Sequence, residues 1–160
     1  MKIREIKCKS ILTKTKLPAC DYVINPYVGC SFGCVYCYSR FMKRFTGHKE
    51  PWGQFIDIKT NAPDILEKQV KRSKKGMVFM SSTTDPYIGI EAKYKLTRKI
   101  LEILLKHQFP VSILTKSPLV LRDIDLFKKF GDITVGLTIT TLDDEANKNF
   151  EPNAIPSSSR

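Results

Sequence analysis

The chain has 160 residues, 42% of them apolar and 27% charged, which is the size and mixture of one globular domain and excludes a disordered or fibrous chain. Twenty-seven Lys and Arg against 16 Asp and Glu give a formal charge of +11, which favours phosphate-rich or otherwise acidic partners without naming one. No run approaches the ~18 apolar residues of a membrane span, and the basic residues 1–16 lack the apolar block of a secretory signal, so the expected compartment is the cytoplasm, with no membrane partner.

In chain order, residues 1–20 read as an N-terminal extension and residues 21–160 as the core domain. From Phe55 onward short β-prone runs alternate with segments of helical period, the pattern of successive βα units around a parallel sheet, so the fold class is α/β. A helix is predicted over 61–73. Asn61 is a good N-cap, Pro63 and Asp64 stand in the first turn, and Ile65, Leu66, Gln69 and Val70 make one stripe. The apolar run 77–80, bounded by Gly76 and the polar Ser81 to Thr84, is too short for a helix and reads as a buried strand. A second helix over 96–107 carries Leu96, Ile100, Ile103 and Leu104 on one face. A strand over 111–115 and a helix over 123–130 follow.

The last strand, over 133–140, alternates Ile133, Val135, Leu137 and Ile139 with Thr134, Gly136, Thr138 and Thr140. Its apolar face is expected to pack on outer helices, leaving small polar residues to face a ligand-sized interior. By the same parity Ser112 and Lys116 share one face of the preceding strand, which puts Lys116 near the C-terminal end, where parallel α/β folds do their chemistry.

Five cysteines stand at 8, 20, 30, 34 and 37, an odd number without an export signal, so metal ligation or redox chemistry is favoured over disulfides. Cys30, Cys34 and Cys37 are spaced by three and then two residues. A cluster held by three thiolates leaves one iron open to a substrate or cofactor, whereas an electron carrier normally closes that position. Gly29 and Gly33 free the loop to wrap a compact cluster and offer it amide groups. Zinc is the alternative and needs a fourth ligand such as Cys20 or His48, yet only one Cys-x2-Cys pair is present.

At these residues the sequence resembles the radical SAM superfamily, whose hallmark is this three-cysteine loop with an aromatic, here Tyr36, before the third cysteine. The match extends to Asn25–Pro26–Tyr27–Val28–Gly29, Thr84–Asp85–Pro86–Tyr87, Glu91, Leu96–Thr97–Arg98, Thr115–Lys116–Ser117 and Arg122–Asp123–Ile124–Asp125, which look like the branch related to spore photoproduct lyase. The resemblance implies a [4Fe-4S] cluster on Cys30, Cys34 and Cys37, with S-adenosyl-L-methionine on the fourth iron. One-electron reduction, by a ferredoxin or flavodoxin, would cleave the sulfonium and start radical chemistry on a substrate. It also implies cofactor contacts from Tyr36, Ser81 and Ser82, Lys116, and Thr138 and Thr140 at the ribose. For each, packing or strand-end solvation is the competing reading.

Radical SAM cores generally have six βα units, and this chain supplies about four. The resemblance therefore implies an incomplete radical SAM core, a partial (βα) barrel, either the N-terminal part of a longer protein or an open barrel completed by a partner chain. The expected function is a radical SAM enzyme, lyase-like, with nucleic acid as a substrate class by analogy. The alternatives are a catalytically silent fragment that binds the cluster and a zinc-stabilised nucleic-acid-binding module. Arg40, Lys43, Arg44 and Lys49, interleaved with Phe41, Phe45 and Trp52, read either as a nucleic-acid surface or as a solvated helix face. Cys8 and Cys20 read as ordinary thiols, His107 as a helix-end cation and His48 as unassigned. Asp85 is either a substrate-facing acid or an Asx turn before the stiff Pro86.

Overall fold

A computed structural model describes all 160 residues, Met1–Arg160. The chain begins with strands β1 (Lys2–Ile6), β2 (Thr13–Lys14), β3 (Tyr22–Ile24) and β4 (Tyr27–Val28), then the cysteine loop and a 3-10 helix over Tyr38–Phe45. Strand β5 (Phe55–Lys59), helix α1 (Ala62–Val70), strand β6 (Val78–Met80), helices α2 (Glu91–Tyr94) and α3 (Leu96–Lys106) and strand β7 (Val111–Thr115) come next. A 3-10 segment (Pro118–Asp123), α4 (Ile124–Phe127), β8 (Ile133–Leu137) and α5 (Asp144–Phe150) complete the order.

The main sheet has five strands in the order β2-β3-β6-β7-β8. Strands β3, β6, β7 and β8 run parallel, and β2 is the antiparallel edge. Four parallel strands, joined in turn through α1, α3 and α4, with α5 after the last, make an α/β partial barrel of about four βα units. The second sheet is small, in the order β1-β5-β4, with β1 parallel to β5. Lys2–Ile6 is thus hydrogen-bonded into the molecule along all five residues of β5. The first parallel strand of the barrel is β3, and β5 belongs to the other layer.

The larger core lies between the main sheet and α1 and α3, where Leu66, Val70, Ile100, Leu101 and Leu104 meet Ile24, Met80, Val111 and Ile113. A smaller core gathers Tyr27, Ile56, Ile58, Ile88 and Leu96 with Cys30, Phe32 and Cys34. The cysteine loop is therefore rooted in its own apolar layer.

Several elements depart from their predicted extents. The first helix is Ala62–Val70 rather than 61–73, and Asn61 makes no side-chain cap. Its amide instead accepts from the Cys8 amide at 2.8 Å and donates to the Cys8 carbonyl at 2.9 Å, so it ties the N-terminal segment down. The predicted helix 123–130 splits into the 3-10 segment and a single turn, Ile124–Phe127. Buried Asp123 is engaged by arginines and a tyrosine at that junction. The last strand ends at Leu137, and its apolar face is not packed on helices: Val135, Leu137 and Ile139 are 38%, 39% and 48% exposed. That strand is the sheet edge, so only Ile133 joins the core.

Candidate functional site

The parallel strands end together, and the cysteine loop folds over their carboxyl ends. Cys30, Cys34 and Cys37 line one cavity of about 260 Å³ with Tyr36, Tyr38, Ser81, Ser82, Asp85, Lys116 and Thr138. Its walls thus come from the loop after β4 and from the residues that follow β6, β7 and β8. Cys30 and Cys34 are buried and Cys37 is half-buried.

Backbone geometry explains the loop's glycines. Gly29 has φ +84°, and a Cβ there would stand 2.3 Å from the Phe55 carbonyl oxygen. Gly33 and Gly53 both have positive φ and cross closely enough that a Cβ on Gly53 would lie 2.9 Å from the Gly33 Cα. Side chains are excluded at both crossings. Thr84 Oγ1 donates to the Gly29 carbonyl at 2.7 Å, and Arg40 donates to the Cys34 carbonyl at 3.1 Å.

Burial pushes the Cys30 thiol up to about 12, helped by the Asp85 carboxylate and opposed by the backbone at Phe32 and Asp85. Burial also raises Cys34, with Lys116 pulling the other way. Metal-free, these thiols hold their protons, so a metal must displace them to bind.

Ser81 stands at φ +66° with its Oγ buried, without a hydrogen-bond partner, at the cavity. A strained backbone and an orphaned hydroxyl in a cavity-lining residue fit a site with a polar ligand. Ser82 is engaged on both sides: its carbonyl accepts from Tyr38 Oη and its Oγ from Asn25 at 3.3 Å. Asp85 accepts from the Tyr87 amide at 2.8 Å, the Asx turn of the sequence reading. It also accepts from Thr115 Oγ1 at 2.6 Å and the Lys116 amide at 2.8 Å, lashing the loop after β6 to the end of β7. Burial raises its carboxyl despite these donors.

Lys116 reaches into the cavity wall, with its Nζ 5.8 Å from the Tyr36 ring centroid and 3.7 Å from Glu151. Glu151 was missed from the sequence. Its carboxylate is fully buried and accepts from Tyr36 Oη, from Thr140 Oγ1 at 2.6 Å, from Asn147 at 3.0 Å and from Arg160. Burial pushes its carboxyl up, but these donors outweigh it and bring it to about 2. Thr138 lines the cavity, whereas Thr140 stands behind it, its hydroxyl turned to Glu151 and Tyr36.

The other candidate ligands are elsewhere. Both His48 ring nitrogens are engaged, by Glu50 at 3.0 Å and Asp57 at 2.8 Å, while the ring stacks on Phe55. Cys20 donates to the Leu17 carbonyl at 3.6 Å, and Cys8 packs against the larger core. No three Cys, His, Asp or Glu side chains converge as one metal ion needs. Thiols ringing a cavity instead suit a multi-atom cluster. His107 lies 3.5 Å from Glu67 at the end of α3. Phe41 and Phe45 are exposed, with the Arg44 guanidinium 5.5 and 5.4 Å from their centroids. No helix is long and apolar enough to cross a membrane.

Residues 24–157 match the model of the Radical SAM superfamily. An uncharacterized protein of Methanocaldococcus jannaschii is 45% identical over 152 residues, covering 95% of this chain and 57% of that protein. One from the Acidianus two-tailed virus is 34% identical, covering 87% and 48%, and one from Mycobacterium tuberculosis is 30% identical, covering 92% and 46%. The chain thus spans about half the length of the curated relatives it matches. Spore photoproduct lyase complexed with dinucleoside spore photoproduct shares the fold, with a TM-score of 0.69 at 18% identity over 99% of this chain and 45% of that one. A mutant of that lyase with bound AdoMet and the same dinucleoside gives 0.68. With the family model spanning residues 24–157, the cysteine loop and strands β6, β7 and β8 included, this chain belongs to the radical SAM superfamily.

Proposed function

We propose that the chain is the cluster- and cofactor-binding part of a radical SAM enzyme. Cys30, Cys34 and Cys37 would hold a [4Fe-4S] cluster, and S-adenosyl-L-methionine would lie in the adjoining cavity. The observation that carries this reading is the convergence of all three thiols on one cavity beside the orphaned Ser81 hydroxyl. When bound and reduced, the cluster supplies the electron that cleaves the cofactor's sulfonium. The chain's own residues bind and orient. Ser81 and Ser82 offer polar groups to the amino acid end, and Lys116 offers a cation to a carboxylate or ribose. Tyr36 and Thr138 line the same cavity.

A ferredoxin- or flavodoxin-like protein is the proposed one-electron donor, in the cytoplasm. Nucleic acid is the proposed substrate class, supported by the +11 charge and by the basic, aromatic 3-10 helix that follows Cys37. The exposed edge at β8 is where the rest of a longer chain, or a partner, would complete the barrel.

Anaerobic reconstitution should load about four irons per chain and give iron–sulfur absorption. Dithionite and S-adenosyl-L-methionine should then release 5′-deoxyadenosine. Absorption without release would leave a cluster-binding fragment, and stoichiometric zinc without colour would reject the iron–sulfur reading.

A further inference from the structure

We propose that Glu151 is a positioning residue that sets the cofactor-facing wall, locking the cysteine loop, the end of β7 and the segment after β8 into one arrangement. The inference rests on the cofactor reading above and adds a residue outside the cavity wall. Glu151 is fully buried and does not line the cavity, yet it contacts three residues assigned to the cofactor. Those three come from separate parts of the chain: Tyr36 before the last cysteine, Lys116 after β7 and Thr140 after β8.

The contacts divide the carboxylate in a definite way. Oε1 takes Tyr36 and Lys116, which line the cavity, and Thr140 behind it. Oε2 takes Asn147 and Arg160, on the side of α5. Arg160, itself without exposed side-chain surface, also donates to the Thr138 carbonyl at 2.8 Å and so braces the segment after β8. One oxygen holds the wall while the other is anchored by a buried cation, so the orientation of the carboxylate is fixed.

The same segment grips the cysteine loop through its backbone. The Val35 amide donates to the Phe150 carbonyl at 2.9 Å, and the Asn153 amide donates to the Phe32 carbonyl at 3.3 Å. Asn153 Nδ2 donates to the Ser31 carbonyl at 3.1 Å. Without the carboxylate, Tyr36 and Lys116 lose their common partner and the loop loses one of its grips on α5. Tight cofactor binding then requires the wall to be ordered at the moment of binding, which weakens affinity.

The test compares Glu151→Ala and Glu151→Gln with the unaltered chain by amide hydrogen exchange, and by calorimetric titration of S-adenosyl-L-methionine into the unreduced, iron-loaded protein. Both variants should exchange faster over residues 34–37 and 115–117 but not in β1 or β5. Cofactor affinity should fall roughly tenfold at unchanged iron content, and less in the glutamine variant. Lys116→Met should weaken binding strongly in the unaltered chain and little further beside Glu151→Ala, because the two act as a unit. A purely structural role would lower the melting temperature while leaving affinity, measured well below it, unchanged. Unchanged exchange at Tyr36 and Lys116, or fully multiplicative effects of the two substitutions, overturns the inference. An iron-loaded, unaltered chain that binds no cofactor rejects the functional reading instead, and the exchange result still decides whether Glu151 locks the three segments.

Discussion

Glu91 and Glu151 are both buried, both accept a tyrosine hydroxyl and both meet an arginine, yet they brace different parts of the molecule. Glu91 takes Tyr27 Oη, the amides of Thr97 and Arg98 at the start of α3, and Arg122 at 2.7 Å. It therefore supplies the acceptor that the first turn of α3 lacks, since the preceding Lys95 is left-handed and caps nothing. Beside it, buried Asp123 binds Arg122, Arg98 and Tyr87 Oη. None of Glu91's partners lines the cavity, whereas two of Glu151's, Tyr36 and Lys116, do. The same chemistry thus serves the frame at one place and the working wall at the other. Partners, rather than burial or charge, tell the two apart.

The largest effect on stability is expected at the frame. Glu91→Ala removes one of the two carboxylates that meet Arg122 and leaves the Tyr27 hydroxyl and two helix-start amides unsatisfied, a loss of about 3–5 kcal/mol. Denaturant unfolding of the metal-free chain measures it. An equal loss in Glu151→Gln would erase the distinction between the two centres.

Glu151→Gln keeps the side chain's shape and one acceptor but turns a donor toward the partners of the other oxygen and leaves buried Arg160 without its carboxylate, so its expected loss is about 2–3 kcal/mol near neutrality. Its pH dependence is the sharper signature. The Glu151 carboxyl is held at about 2 against an ordinary 4.5, so it contributes stability above 4.5 that fades as pH falls toward 2. Melting curves from about pH 7 down to about pH 3 should show the gap between the unaltered chain and Glu151→Gln narrowing in acid. A constant gap would mean that the carboxylate's charge is not what holds the wall.

The difference between the two hubs also explains what the sequence could and could not reveal. Strand β7 occupies 111–115 as predicted because an apolar run between Pro110 and the polar Lys116–Ser117 is a local signal. The cysteine loop was legible for the same reason, its three ligand candidates falling within eight residues. Glu151 sits in an unremarkable polar stretch, and its partners at 36, 116 and 140 are brought to it only by the sheet. No local pattern encodes that meeting. The period over 123–130 predicts a longer helix than the single turn Ile124–Phe127 that forms, and Asp123's arginine and tyrosine partners set a junction that a propensity argument cannot see. The alternation in β8 marked a strand, while its packing depended on whether anything covers that edge.

A smaller effect is expected from Tyr87→Phe, which takes one donor at 3.0 Å from Asp123 and leaves both arginines in place. The ring stays in the core, so the loss is about 1 kcal/mol, and cofactor binding should not change. Titration of the iron-loaded variant checks the second half: a clear loss of affinity would show that the frame and the wall are coupled, against the separation drawn above.

The smallest effect is expected at the outer end of the same network. Arg98 makes a paired contact with Asp125, both at 2.8–2.9 Å, but Asp125 is 53% exposed and faces water. Arg98 also keeps its bond to buried Asp123 at 2.8 Å, so losing the outer partner leaves no uncompensated buried charge. Asp125→Ala should therefore leave the unfolding midpoint nearly unchanged, with any difference fading as salt is raised. A loss comparable to that of Glu91→Ala would mean that the surface pair holds Arg98 in place for the buried centre, and the frame would then extend outward to the helix surface.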